Sequence, residues 1–427
     1  MKLTRHEFDS RLKILVVTQY FWPEPFIIND LVSTLASHGH MVEVVTGKPN
    51  YPDGKVFAGY VAEGCSYERL EGSAIPVHRV PLRPRNGGGG RNLLLNYISF
   101  VWNGLRFFPK AVAGRSFDAV LVFAPSPITS VIPAIYLKWR LKAHLAVWIQ
   151  DLWPESLSAT GFIRHRGLLS MVGWMVRGIY ACADSLLVQS RAFHGPVARY
   201  AMADKIVYYP NSCRDAPKQS PASTRIPASV LSELEDNFSV VFAGNLGTAQ
   251  SVETLVQAAE LLSPLKGVRL VLVGSGSMLD WVQQQKAQKG LDNLCLVGRF
   301  PSSEMPQFFS RAAGLLVTLK REEIFAYTIP SKIQSYLAAG RPILAALDGE
   351  GARVIEEARA GLTCPAEDAA GLARCIERLY HMPLAEREKL GQAGRAYFLE
   401  HFEMDRQSQR LVQILEDRIN ERKGRPL

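Results

Sequence analysis

The sequence predicts an α/β protein built from two doubly wound, Rossmann-like parallel-sheet domains. Short apolar, β-branched runs alternate with helix-length segments, the pattern of parallel strands buried on both faces. At 427 residues the chain is too long for one compact core, and roughly 100–200 residues per domain suggests two or three. Its apolar share of 47% and charged share of 21% are those of globular protein, excluding a largely disordered or collagen-like chain.

Taken in order, the expected strands of the first half are Ile14–Thr18, Val42–Thr46, Val77–Val80, Ala119–Phe123, Leu145–Ile149, Ser185–Val188 and Ile206–Tyr209. Those of the second half are Val240–Ala243, Arg269–Val273, Leu294–Val297, Leu315–Thr318, Ile343–Ala346 and Leu362–Cys364. Between the series, 211–227 is rich in Pro, Ser, Ala and charge without periodicity, so it reads as a linker. The expected domains are therefore 1–210 and 228–395. Leu411, Ile414 and Leu415 at helical spacing predict a C-terminal helix within 396–427 that crosses back to the first domain. The Gly87–Gly90 run reads as a mobile loop tip.

The start of the chain lacks the apolar stretch of a secretory signal, and no apolar run reaches the ~18 residues of a spanning helix. Cys65, Cys182, Cys213, Cys295, Cys364 and Cys375 are scattered without a C-x-x-C pair. That pattern predicts reduced, buried thiols in a cytoplasmic protein. With no D-x-D or H-E-x-x-H sequence, no metal site is expected.

Charge is unevenly placed. Up to Pro210 there are 23 Lys/Arg against 14 Asp/Glu, whereas from Asn211 onward there are 26 of each. A basic half joined to a neutral half suggests that the first domain meets something anionic, unless the surplus is only a solvated surface. No basic helix or stacking motif of a nucleic-acid module accompanies it. An anionic membrane face or a phosphorylated acceptor fits better.

In open α/β sheets ligands sit beyond the carboxyl ends of the strands, so the strand exits carry the chemistry. Two domains facing each other in this way would set their exits across one central cleft. Val240–Ala243 runs into Gly244, Asn245, Leu246, Gly247, Thr248, Ala249 and Gln250, where backbone N–H groups can close on an anion at a helix start. Glycine-bearing turns of this kind also occur without any ligand. Gly274-Ser275-Gly276-Ser277 repeats the feature, and Gly298-Arg299-Phe300-Pro301 offers a guanidinium and an aromatic face. The densest exit runs from Lys320 to Pro342. Pro330 suits the first turn of a helix, which places Ser331 and Lys332 at its positive end, and Gly340 is the expected stop.

Lys320 with P-S-K-I-Q-S-Y-L-A-A-G-R-P at 330–342 resembles the donor-site segment of retaining GT-B glycosyltransferases of the family 4 type. It is most similar to their O-antigen and exopolysaccharide branch, which includes N-acetyl-L-fucosamine transferases. The likeness extends to I-L-V-V-T-Q-Y-F-W-P-E at 14–24, T-G-K-P-N-Y-P at 46–52, V-W-I-Q-D-L-W-P-E-S at 147–156 and Y-P-N at 209–211. The broad family has two glutamates eight residues apart, whose places are taken here by Tyr327 and Ser335. Many relatives carry His-Asp where this chain has Gln150-Asp151.

The resemblance implies transfer of a sugar, an N-acetylated deoxy- or amino-sugar, from a UDP-type nucleotide sugar to a lipid-linked saccharide, with retention and without cofactor. Lys320, Lys332 and Asp151 would be catalytic. Gly244, Asn245, Gly247, Gln250, Gly274, Arg299, Ser331, Gln334 and Ser335 would hold the donor, Gln334 by hydrogen bonds to ribose or sugar. Tyr20, Trp22, Glu24, Asn50, Tyr51, Gln150 and Glu155 would line the acceptor side. Glu24 and Glu155, each following a proline, read by themselves as helix-start carboxylates before they read as catalysts.

Arg91–Lys110 is apolar around most of its circumference, with basic residues at both ends, and Arg164–Ala183 is similar. Each is either buried or laid on a bilayer interface. Arg83, Arg85 and Arg91 are the cations expected to meet an anionic leaflet, placing the protein on the inner face of the cytoplasmic membrane, whereas Phe107 and Phe108 either face lipid or belong to the core. Two other functions remain open: a nucleotide-sugar 2-epimerase of the same fold, and a non-catalytic scaffold that binds nucleotide sugar.

Overall fold

The computed structural model describes residues 11–86, 89–159, 161–163, 165–215 and 225–424, with side chains through 421. Most of the expected linker (216–224), Gly87 and Gly88 of the glycine run, and Arg164 lie outside the described residues. The chain forms two units, one of residues up to 211 together with those from 404 onward, the other of residues 212–403.

The first unit holds an eight-stranded sheet in the order β3-β4-β2-β1-β5-β6-β7-β8. Its strands are β1 Lys13–Thr18, β2 Met41–Gly47, β3 Ser66–Arg69, β4 Pro76–Val80, β5 Ala119–Ala124, β6 His144–Ile149, β7 Ser185–Val188 and β8 Ile206–Tyr208. All pairs are parallel except β3, which runs antiparallel to β4 with Ser66 opposite Arg79. The sequence reading missed β3 because Ser-Tyr-Glu-Arg is polar and alternates between half-buried and exposed, as an edge strand does.

The direction of winding reverses at β1, which pairs in parallel with β2 through Ile14↔Val42 and with β5 through Ile14↔Ala119. Ile14, Val16, Val44, Leu121 and Trp148 on one face pack with the helix Ile27–Ser37. The C-terminal helix Met404–Gly424 adds Leu411, Val412 and Leu415 to the same core. It begins at Met404 rather than near 396, because Leu384–His401 is a separate helix of the second unit, which extends to Glu403.

The second unit holds β9 Phe238–Ala243, β10 Val268–Val273, β11 Leu294–Gly298, β12 Gly314–Thr318, β13 Ile343–Ala346 and β14 Gly361–Cys364. The order is β11-β10-β9-β12-β13-β14, parallel throughout. Here the direction of winding reverses between β9 and β12, so a crevice opens at their carboxyl ends. Alternate strand residues feed two cores, one around Val241, Val271 and Val317, the other around Val240, Leu270 and Leu316.

The expectation of buried thiols needs correction. Cys65 is exposed and the other five thiols are only partly buried. Of the two phenylalanines, Phe108 is fully buried and belongs to the core, while Phe107 is half-buried.

Candidate functional site

At the reversal point of the second sheet the exits of β9, β10 and β11 are stitched together by their backbones. Gly244 N–H donates to Val273 O at 2.8 Å, Gly274 N–H to Gly298 O at 2.7 Å, and Leu246 N–H to Ser275 O at 2.9 Å. Glycine is required for the fit. At Gly274, with φ +150°, a Cβ would lie 1.9 Å from Gly244 O.

The helix Ser331–Ala339 points its first turn at this turn cluster. Pro330 is the cap rather than the first helical residue, so Ser331 opens the helix and Lys332 is second. Gly340, at φ +66°, closes it as expected. Lys332 lies across Gly244, where a Cβ would stand 2.7 Å from its Cε. Its Nζ is 3.5 Å from the centroid of the Phe242 ring and donates to Gln250 Oε1 at 3.0 Å. No carboxylate faces it among the described residues. Burial alone pulls this ammonium down to about 7, because desolvation penalises the charged form. The result is a half-buried cation at a helix N-terminus beside the glycine turn, an arrangement suited to an anion.

Two further contacts fix the geometry. Tyr336 OH accepts from Ala243 N–H at 3.0 Å, tying the helix to the end of β9. Lys320 N–H donates to Ala249 O at 3.0 Å, and Thr318 Oγ1 donates to Gln250 O, tying the β12 exit to the β9 exit. Lys320 Nζ stands 3.6 Å from Glu253 Oε1. Glu253 Oε2 is buried without a hydrogen-bond partner, leaving an acceptor for a ligand hydroxyl. Glu253 and Tyr336 were not picked out in the sequence. Glu253 resembled any first-turn glutamate, and Tyr336 any apolar helix residue.

The other predicted donor residues fall less uniformly. Ser331 and Asn245 are exposed at the turn cluster, and Gly247 is buried there. Ser335 Oγ turns back to Ser331 O at 3.4 Å. Gln334 is a correction: it is buried, and its amide N–H groups donate to Pro330 O at 2.8 Å and Ser331 O at 3.1 Å, closing its own helix start. Arg299 is exposed beyond β11, while Phe300 is half-buried and packs on Phe308.

In the first unit the exits of β1, β2, β5 and β6 form a second cluster. Ser126 Oγ donates to Asp151 Oδ2 and accepts from Trp153 Nε1 at 2.9 Å. Tyr20 is buried, stacks on Phe26 at 5.2 Å and lies 5.7 Å from the Tyr51 ring. Gln150 is half-buried. Its carbonyl accepts from Gln189 Nε2 at 2.7 Å, and Gln189 accepts from Asn211 at 2.9 Å.

Three expected acceptor residues prove to be internal ties. Glu24 accepts from Asn50 N–H at 2.9 Å, Tyr51 N–H at 2.8 Å and Phe21 N–H at 3.0 Å. Burial pushes its carboxyl up to about 7 although these three donors and Arg79 pull it down. Asn50 is buried and bonds Lys48 O at 3.1 Å, and its Oδ1 accepts from Asn96 at 3.4 Å. Asn96, fully buried in the helix Gly90–Ala111, also accepts from Gln19 at 2.8 Å. Glu155 opens the helix Glu155–Ala159 and pairs with Arg199 at 3.7 Å, as the helix-start reading expects. Trp22 is partly exposed, its N–H bonded to Asn29 at 3.0 Å and its carbonyl to Arg79.

Known proteins share this architecture. Residues 27–212 match the model of the glycosyl transferase 4-like domain, and residues 237–382 that of the glycosyl transferases group 1 family. The chain is 26% identical to the putative colanic acid biosynthesis glycosyl transferase WcaI of Escherichia coli over 86% of this chain and 88% of that one. It is 24% identical to the probable glycosyltransferase WbjE of Pseudomonas aeruginosa over 69% and 74%. In fold it is similar to HepE of Anabaena in complex with UDP, at TM-score 0.67 and 15% identity, covering 95% of this chain and all of that one. It is also similar to the sucrose-phosphate synthase of Thermosynechococcus elongatus, at TM-score 0.69 and 17% identity over 95% and 99%. The two units have the GT-B fold of these neighbours. With one family model on each unit, the chain is a glycosyltransferase that joins a 4-like domain to a group 1 domain.

Proposed function

We propose that the chain transfers a sugar from a UDP-sugar to a lipid-linked saccharide during cell-surface polysaccharide assembly, with retention of configuration. The observation that carries the reading is Lys332 at a helix N-terminus, set across the Gly244–Gly247 turn at the reversal point of the second sheet. The leaving diphosphate would gain its stabilisation there from Lys332, Lys320 and backbone N–H groups. HepE, a structural neighbour, binds UDP, and WcaI and WbjE are the relatives that point to polysaccharide assembly. The donor sugar is proposed to be an N-acetylated deoxy- or amino-sugar. A thermal-shift screen of nucleotide sugars tests both points, because a tight donor stabilises by mass action. The expected result is a rise with UDP and with an N-acetylated UDP-sugar; no rise with any nucleotide refutes the reading.

Asp151 is proposed to serve the acceptor, oriented by Ser126. Asp151→Asn is expected to lower turnover by ~10²-fold, the scale of a lost general base, while UDP affinity stays within twofold. Weaker UDP binding with normal turnover would contradict this role. Protein cations carry the charge on the donor side in this account, so chelation with EDTA is expected to leave turnover unchanged.

Peripheral docking on an anionic membrane face belongs to the same reading. No helix among the described residues is long and apolar enough to cross a membrane. The helices Gly90–Ala111, Ile132–Leu141 and Arg166–Cys182 contain seven Lys/Arg and no Asp or Glu. They lie together: the first packs on the second, where a Cβ on Gly104 would meet Pro133, and the second packs on the third. Leu94, Ile98, Trp102 and Leu105 form an outward stripe on the first, Trp139 is exposed on the second, and Met171 and Trp174 on the third. Trp102 at 67%, Trp139 at 65% and Trp174 at 72% exposure are unusual on a soluble surface. Such rings suit the headgroup level of a bilayer, and each basic neighbour adds ~1 kcal/mol on an anionic leaflet. Changing Trp102 and Trp174 together to Ser is expected to release the protein from phosphatidylglycerol vesicles without lowering its melting temperature. Equal binding to neutral and anionic vesicles would defeat docking.

A further inference from the structure

Arg85 leads away from the membrane surface and into the acceptor cluster. It follows β4 in a loop held by Asn86 N–H to Gly54 O at 3.0 Å and Arg83 N–H to Ser99 Oγ at 3.0 Å. Its guanidinium carbon lies 5.1 Å from the centroid of Tyr20, 5.4 Å from that of Tyr51 and 5.9 Å from that of Tyr97. One N–H group donates to Tyr20 OH, whereas Nε is buried with no acceptor. No carboxylate pairs with this cation among the described residues. A charge withdrawn from water is ordinarily paired, Arg85 is half-buried with its Nε sealed from solvent, and the Glu24 carboxylate of the same cluster is already committed to three backbone donors.

We propose that the Tyr20–Tyr51–Tyr97 cage holds Arg85 as the binding group for the diphosphate ester of the acceptor. This rests on the transferase reading above and names the acceptor's chemistry. Tyr97 lies in the field of both Arg85 and Asp151, so an oxyanion on Arg85 sits close to the carboxylate assigned to the acceptor. Tyr97 also shares its helix with Leu94, Ile98 and Trp102, whose side chains face outward. An anionic group between a saccharide-binding carboxylate and a lipid-facing helix has the chemistry of the phosphate linkage that joins sugar to lipid. The planar guanidinium fork matches such an oxyanion with two parallel N–H bonds. The surrounding tyrosine faces hold the cation in place without neutralising it.

The test is calorimetric titration of the full chain with farnesyl diphosphate, with glucuronate, with UDP and with phosphatidylglycerol vesicles, each in a separate arm. Wild type is expected to bind farnesyl diphosphate, Arg85→Gln to bind it at least tenfold more weakly, and Arg85→Lys to fall between them. UDP affinity and vesicle binding are expected to stay within twofold in both variants. Because the UDP arm reads the second unit, its loss in wild type would sink the transferase reading separately. The diphosphate proposal is overturned if Arg85→Gln leaves farnesyl diphosphate affinity within twofold, or if only vesicle binding falls. It is also overturned if glucuronate shows the Arg85 dependence and farnesyl diphosphate does not. Should Arg85→Gln not fold, the Arg85→Lys titration decides alone, since its lost fork must weaken the diphosphate and spare UDP.

Discussion

Lys332→Met is expected to abolish most sugar transfer, by ~10²–10³-fold, while leaving the protein folded and at least as stable as wild type. Methionine keeps an unbranched side chain against Phe242 and across Gly244, but removes the charge that would meet the leaving diphosphate. Losing one such preorganised electrostatic donor costs about 3–4 kcal/mol in the transition state. The stability half of the prediction follows from the sign of the pKa shift. Burial pulls Lys332 down to about 7 in the fold from its ordinary value of 10.5, so between those pH values the unfolded chain binds more protons. Stability therefore rises with pH across that window in wild type. The Met variant should lack that rise and should melt higher below pH 7. A variant that kept turnover within about twofold, or that lost stability at pH 6, would contradict the assignment.

Gly274→Ala is expected to destabilise the second unit by roughly 3 kcal/mol or more and to remove UDP binding. The added methyl would stand 1.9 Å from Gly244 O, and a residue with a side chain would have to hold φ +150°. Overpacking alone costs ~1–3 kcal/mol, and a backbone conformation of this kind ~1–3 kcal/mol more. Neither obstacle is the far end of a flexible side chain, so the β9 and β10 exits would have to separate. That separation would break the Leu246–Ser275 and Gly244–Val273 bonds that shape the turn. Thermal unfolding and a UDP titration measure both effects. Unchanged melting and UDP affinity would show that the two turns do not act as a unit.

Most of the fold was legible because the interior strands are buried on both faces and read as uninterrupted apolar runs. Val240–Ala243 and Leu145–Ile149, for instance, differ from the observed strands only at their starts. The edge strand Ser66–Arg69 was not legible, since it has no buried face to impose a pattern. In the site, Gly244, Gly274 and Lys332 were readable from the strand–glycine–helix succession. Gln334 was misread because a buried glutamine closing its own helix turn has the same sequence as one aimed at a ligand. Glu24 was misread for a related reason: its three partners are backbone N–H groups up to 27 residues away, which carry no side-chain signature. Arg85 looked like one of several surface cations, and only the fold of β1 and β2 around it shows the tyrosines that enclose it.

The most direct measurement of the account is a calorimetric titration of UDP at pH 8 in two buffers of different ionisation heat, for wild type and Lys332→Met. With its amine near 7 in the free protein, Lys332 is mostly neutral at pH 8, and a bound diphosphate should restore its proton. Wild type is expected to bind UDP with uptake approaching ~0.9 proton per molecule, and Lys332→Met to bind far more weakly with no uptake. UDP binding without proton uptake, or with the same affinity in the Lys332→Met variant, would contradict the placement of the donor diphosphate on this helix.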